Sequence, residues 1–306
     1  MSNKFIIAID LGGTNLKIAL LNSRYKIIAK ELLSTKKFTK STLIQAIIKS
    51  VNKILEEHGI ARKSLLGVGL GVPGPINFKK GIIYFMPNIS GWHNVPLRAI
   101  LRKRLALAVF LDNDANLMSL AEYRLGAAKG AENAVCLTLG TGVGGGVIIN
   151  RQLYRGSGSV AGEIGHIPVN LTGPRCNCGG RACLEAYIGN SKIEKVAERI
   201  FKEKINLAQL SALARKNNRK AIKVWDEVGS ILGSALVGVI NLLNPDCIVI
   251  GGGVAGAGRV LFNKIREIIR GQAMPIHRRA VKVHRAKLGA DAGLIGAALL
   301  VDENAG

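Results

Sequence analysis

Two stretches of the chain decide its fold: FIIAIDLGGTNLKIALL, residues 5–21, and AVCLTLGTGVGGGVII, residues 134–149. Each reads as a buried apolar strand, a turn of glycine and threonine, and a second apolar strand, so each predicts a glycine-turned β-hairpin. One such hairpin would say little. Two of them, about 130 residues apart and each leading an α/β unit, form an internal duplication. The prediction is two related lobes whose glycine turns face one another across a cleft.

Further elements follow around these anchors. Apolar residues at 43, 44, 47, 48, 51, 54 and 55 have the spacing of an amphipathic helix over Leu43 to His58, ended by Gly59. LLGVGLGV at 65–72 and Leu107 to Leu111 read as strands, and Asp114 to Leu125 as a helix with Gly126 just past its end. Helical patterns run from Lys192 to Phe201 and from Asp226 to Leu243, broken at Asn244-Pro245 before the strand of DCIVIGGGV. The closing GLIGAALLV reads as a last helix. The expected division is a small α/β lobe over 1–111, completed by 290–306, and a large α/β lobe over 112–289.

Composition narrows the function classes. With 306 residues and 48% hydrophobic content the chain has ample material for two cores, which excludes a disordered protein. The apolar stretch Ile231 to Leu243 is shorter than a bilayer span, and the N-terminus MSNKFIIAID turns acidic too early for a signal peptide. A cytoplasmic location without membrane partners is the expectation. Forty-three Lys and Arg against 20 Asp and Glu leave a formal charge of +23. The excess is spread over Lys26 to Lys53, Lys192 to Lys223 and Arg259 to Lys287, with no basic tail and few aromatics, so it reads as a solvated surface that attracts anionic substrates; specific nucleic-acid binding is the lesser reading. Five cysteines exclude a complete disulfide framework; Cys136 and Cys247 sit in strand-like runs and carry no assigned chemistry.

Chemistry concentrates in a few motifs. In DLGGTNLK the turn of Gly12, Gly13 and Thr14 offers N–H groups and a hydroxyl to phosphate oxygens, with Lys17 adding positive charge. A carboxylate beside phosphates needs an intervening cation, so Asp10 is expected to position Mg²⁺ through water. LGTGVGGG supplies a second phosphate clamp at Gly140, Thr141, Gly142 and Gly144, and two clamps imply a nucleotide. GGGVAGAG, with Gly252 and Gly253, is a candidate floor for adenosine but lacks the acidic partner of a dinucleotide fingerprint. Asn113 and Asp114 arrive at a helix start, where an Asp either caps the helix or orients a sugar hydroxyl. His166, Cys176, Cys178 and Cys183 suit a closed tetrahedral Zn²⁺ site, structural rather than catalytic, with redox thiols as the alternative. Glu163 and Glu185 flank that cluster as paired carboxylates for polyol recognition, and the His166 nitrogen turned away from zinc adds a hydrogen bond.

In this order, DLGGTNLK, GVPGPIN, PNISGW, NDAN, LGTGVGGG, GEIGH and CxCGxxxCLE resemble the ROK family of sugar kinases and sugar-responsive repressors over nearly the whole chain. The resemblance implies the two-lobed actin and hexokinase type of α/β fold, related to ribonuclease H, with the C-terminal helix returning to the first lobe. It implies ATP, Mg²⁺ and a hexose as ligands, Asp114 as the base toward the sugar 6-hydroxyl, and Asn113, Glu163, His166 and Glu185, with Gly74 and Asn88, as sugar-binding residues. It also implies a homodimer. One departure is visible: Ala182 stands where the family usually has the glycine before the third cysteine.

The activity expected is ATP-dependent phosphorylation of a hexose, glucose first. N-acetylmannosamine or N-acetylglucosamine kinases share most of these residues. Two other classes stand beside an enzyme. A sugar-responsive regulator would carry a DNA-binding segment of some 70 to 80 residues ahead of the first hairpin, for which strand one at Lys4 leaves no room. A sugar-binding protein without turnover would lack one of the phosphate or base residues, and none is missing.

Overall fold

The computed structural model describes residues 4–36, 38–86 and 91–305. Contacts divide the chain into two compact units, Met1–Ala121 with Leu153–Ala161 and Ala290–Gly306, and Glu122–Gln152 with Gly162–Gly289. The first break falls after Ala121, ten residues beyond the boundary expected from sequence, and Leu153–Ala161, expected in the large lobe, also falls in the first unit; residues 112 and 113 complete a strand of that unit and residues 114–121 continue it as a helix.

The first unit opens with β1 (Phe5–Leu11), β2 (Asn15–Asn22), β3 (Ile27–Ser34) and α1 (Lys40–Glu57), then β4 (Leu65–Val72). Short strands β5 (Ile76–Asn77), β6 (Ile82–Phe85) and β7 (His93–Val95) make a small antiparallel sheet before α2 (Leu97–Leu105), β8 (Val109–Asn113) and α3 (Asp114–Leu125). The main sheet has the order β3-β2-β1-β4-β8, antiparallel through β1 and parallel from β1 to β8. Strand β8 begins two residues later than expected, since Ala106 in the left-handed region (φ 53°) ends α2 and the chain must still turn.

The pattern of LLGVGLGV now has a cause. Val68, Leu70 and Val72 join the core formed with α1 and α2. Gly69 between them admits a helix backbone, since a Cβ there would collide with the Ala297 carbonyl of the C-terminal helix Ala292–Asn304. Apolar strands buried on both faces are what parallel pairing requires.

The second unit repeats the plan. Strands β9 (Ala134–Leu139), β10 (Val143–Ile149) and β11 (Gln152–Tyr154) precede α4 (Glu185–Ile188), α5 (Asn190–Phe201), α6 (Leu207–Arg215) and α7 (Arg219–Leu243). Strand β12 (Cys247–Gly251), α8 (Arg259–Gln272), α9 (Pro275–Ala280) and β13 (Lys282–Arg285) follow. The sheet order is β11-β10-β9-β12-β13, with β9 and β10 antiparallel and β9, β12 and β13 parallel, the same arrangement as in the first unit. The duplication seen in the two hairpins is therefore a duplication of whole sheets.

Helix α7 starts seven residues before the expected Asp226, capped by the Asn218 side chain, and ends at left-handed Asn244 before Pro245. By length and composition it could cross a membrane, but Val224, Trp225, Leu232, Leu236 and Ile240 are buried in the core of this unit, which accounts for its apolar character.

Candidate active site

In the first unit the parallel strands present their C-terminal ends together. Asp10 of β1 pairs in register with Gly71 of β4, and Gly71 with Asp112 of β8. The Gly12 N–H donates to the Asn15 carbonyl at 2.8 Å, closing the exposed turn that carries Gly13 and Thr14. Thr35, just past β3, braces that turn: its N–H donates to the Thr14 carbonyl at 2.9 Å and its hydroxyl to the Gly13 carbonyl at 3.1 Å. Lys17 directs its ammonium to Asp10 Oδ2 at 2.9 Å and to the Ala290 carbonyl at 2.7 Å. Gly293 of the C-terminal helix lies against the same Asp10 carboxylate. Thr35, Ala290 and Gly293 carry no motif, so sequence reasoning missed them; only the paired strands and the returning helix bring them to Asp10.

Three residues on from Gly71, Gly74 meets the Asn113 side chain. Asn113 Nδ2 donates to the Gly74 carbonyl at 3.2 Å, while Asn113 Oδ1 accepts the N–H groups of Ala115 and Asn116 at 2.9 and 3.2 Å. Asn113 is thus the cap of α3. Asp114 is the first residue within the helix and accepts the Ala115 N–H at 2.9 Å, so the capping role open to it from sequence belongs to its neighbour. Beneath them Asp112 is fully buried and bonded to the Asn113 N–H, to Asn116 Nδ2 and to Arg155 Nε. Asn88 lies outside the described residues.

The second unit holds the other candidates. Its glycine turn closes through the Gly140 N–H to the Gly142 carbonyl at 2.9 Å. A Cβ on Gly142 would crowd Glu185 Oε2, which accepts the Val143 N–H at 2.8 Å. Glu185 of α4 is therefore fastened to the glycine turn. Thr141 is exposed at the turn, whereas Gly144 lies within β10, paired with Thr138. Gly252 adopts φ 84° where the chain leaves β12 and packs on the Leu139 backbone; Gly253 begins a short 3₁₀ turn, not the helix proper, which starts at Arg259.

His166, Cys176, Cys178 and Cys183 converge: their ligand atoms all lie within 4.8 Å of one another. Cys178 Sγ is 3.7 Å from Cys183 Sγ, and His166 Nδ1 is 3.6 Å from Cys176 Sγ. A tetrahedron with Zn–S bonds of about 2.3 Å has edges of about 3.8 Å, so this donor set fits zinc in both chemistry and spacing. The other ring nitrogen, His166 Nε2, faces Glu163 Oε2 at 3.8 Å. Burial pushes the Glu163 carboxyl up; His166 opposes that shift and the negative charge of Glu185 adds to it. Ala182 takes φ 55°, the left-handed region for which its family position usually supplies glycine, and all four donors still converge.

The model of the ROK family matches residues 6–304. The chain belongs to the ROK family. A glucokinase from Thermotoga maritima is 36% identical to it, with 98% of each chain covered. A xylose repressor from Caldicellulosiruptor bescii is 29% identical over 97% of this chain and 77% of its own length. Among solved structures, a ROK family glucokinase from Streptomyces griseus in complex with glucose and AMPPNP superimposes with a TM-score of 0.86 at 30% identity, covering 98% of this chain and all of that one. This ROK chain accordingly has the actin-like ATPase fold.

Proposed function

We propose that this ROK protein is an ATP-dependent hexose kinase that phosphorylates the 6-hydroxyl, with glucose as its acceptor. The observation that carries the reading is the single sheet edge on which Asp10, the Gly12–Asn15 turn and the Asn113–Asp114 corner lie together. The likeness to glucokinases over the whole length of both chains supports it. Phosphoryl transfer asks for positioning and charge neutralisation more than for covalent chemistry, and these groups are of the required kinds.

In this reading the backbone N–H groups and hydroxyl of the Gly12–Thr14 turn, and those of Gly140–Gly142, hold phosphate oxygens. Lys17 would supply positive charge to the phosphates, and Asp10 would hold Mg²⁺ through water, the ion supplying charge neutralisation of the triphosphate. Asn113, Glu163, His166 and Glu185 orient the sugar hydroxyls, and Asp114 takes the proton of the 6-hydroxyl as the hydroxyl oxygen attacks the terminal phosphorus of ATP and the bond from that phosphorus to the bridging oxygen breaks, with ADP as the leaving group. Zinc, held by His166 Nδ1 and three thiolates, would fix the loop so that His166 Nε2 and Glu163 keep their places; with four protein ligands it has no position open for catalysis.

A coupled assay of ADP release across glucose, mannose, N-acetylmannosamine, N-acetylglucosamine, fructose and allose tests the proposal. Glucose is expected to give the highest kcat/KM. Preference for an N-acetylated sugar would move the assignment within the family, and no ADP release with any sugar would overturn it in favour of a sugar-responsive regulator.

A further inference from the structure

A fully buried carboxylate at the root of a catalytic corner calls for an explanation. Asp112 occupies that place, and its three partners account for it: Oδ1 accepts the Asn113 N–H at 2.7 Å and Asn116 Nδ2 at 3.0 Å, and Oδ2 accepts Arg155 Nε at 2.7 Å. The Arg155 guanidinium carbon lies 3.9 Å from the centre of the Phe78 ring, just past β5. The Arg155 carbonyl in turn accepts the Ala161 N–H at 3.0 Å, so the segment carrying it is itself closed into a loop. One side chain therefore joins the segment after Gly74 to the strand end that delivers Asn113 and Asp114.

We propose that Arg155 is a positioning residue for phosphoryl transfer, clamping Asp112 so that the Asn113–Asp114 corner keeps its reactive orientation. The proposal rests on the reading of Asp114 as the base. A charge-assisted bond to a buried carboxylate is strong and directional, and Asp112 passes that constraint directly to the Asn113 backbone and, through Asn116, to the first turn of α3. The residue type is also specific. A guanidinium stacks flat on a ring while aiming Nε along a fixed line, whereas a lysine ammonium cannot do both. Arg155 reaches the corner through Asp112, whose Oδ2 accepts its Nε at 2.7 Å.

The test compares Arg155→Gln, Arg155→Lys, Asp112→Asn and the double variant Arg155→Gln with Asp112→Asn, each checked by thermal melting and assayed with glucose and ATP. Misplacing the base corner is expected to lower kcat by about tenfold to a hundredfold with a smaller change in the KM for ATP. The double variant should be no slower than the worse single variant, because both remove one clamp. In Arg155→Ala, added guanidinium ion at millimolar concentration should restore part of kcat, which no general loss of stability would allow. A kcat within about twofold of wild type in folded Arg155→Gln, losses that multiply in the double variant, or failure of rescue would each overturn the proposal. A wild-type chain that releases no ADP with any hexose would instead remove the function itself, and this role with it.

Discussion

Asn113 caps α3 with its side-chain oxygen, so Asp114 enters the helix without that duty. From the sequence LDNDAN, Asp114 could either cap the helix or orient a sugar hydroxyl. What separates the two roles is register: Asp112 points into the core and Asn113 reaches the first-turn N–H groups. Replacing Asp114 by Asn keeps the shape and removes the proton acceptor. Turnover should fall by about 10² to 10⁴ while the glucose Kd, measured by calorimetry, changes by less than about tenfold. Near-normal kcat would take the base role from Asp114. Ala182 is a second residue-scale case. Its left-handed backbone costs an alanine roughly 1 kcal/mol, so Ala182→Gly should raise stability by up to about 1 kcal/mol, read as a higher denaturant midpoint, with no loss of bound metal.

At the scale of elements, α4 is only four residues long, yet it ends the cysteine loop and anchors the glycine turn through Glu185 and the Val143 N–H. This double attachment makes a prediction. Glu185→Gln should raise the KM for both glucose and ATP, because it loosens the turn as well as the sugar contact, whereas Glu163→Gln should raise the KM for glucose alone. Equal effects on ATP from both variants would argue against the fastening. The cysteine loop makes another. Cys178→Ser should lose about one equivalent of zinc, measured by metal analysis, and weaken glucose binding by about tenfold or more through His166 and Glu163. An unchanged glucose Kd in the metal-depleted variant would show that the loop holds its shape without the metal. The loop's ligand set was readable from residue types and spacing. The hold of Glu185 on Val143 was not, because 42 residues separate the two and no local pattern links them.

For the molecule as a whole, the charge of +23 exceeds what one anionic substrate requires. A basic surface spread along three stretches attracts polyanions by counterion release without reading sequence. Duplex DNA in a gel shift should therefore smear at low salt and run free at physiological salt; sequence-selective retention at physiological salt would point to a regulator.

By itself the sequence determined the duplicated hairpins, the strands LLGVGLGV and CIVI, the helix from Asp114 and the identity of the four zinc-type donors. Each of these depends on local periodicity, turn chemistry or ligand type, which neighbouring residues carry. Tertiary structure alone decided that both sheets share one strand order, that Gly293 meets Asp10, and that Asp112 is held by Arg155. Those facts depend on pairing between strands and on buried charge finding its partner, and such pairings join residues tens to hundreds of positions apart, where periodicity carries no signal.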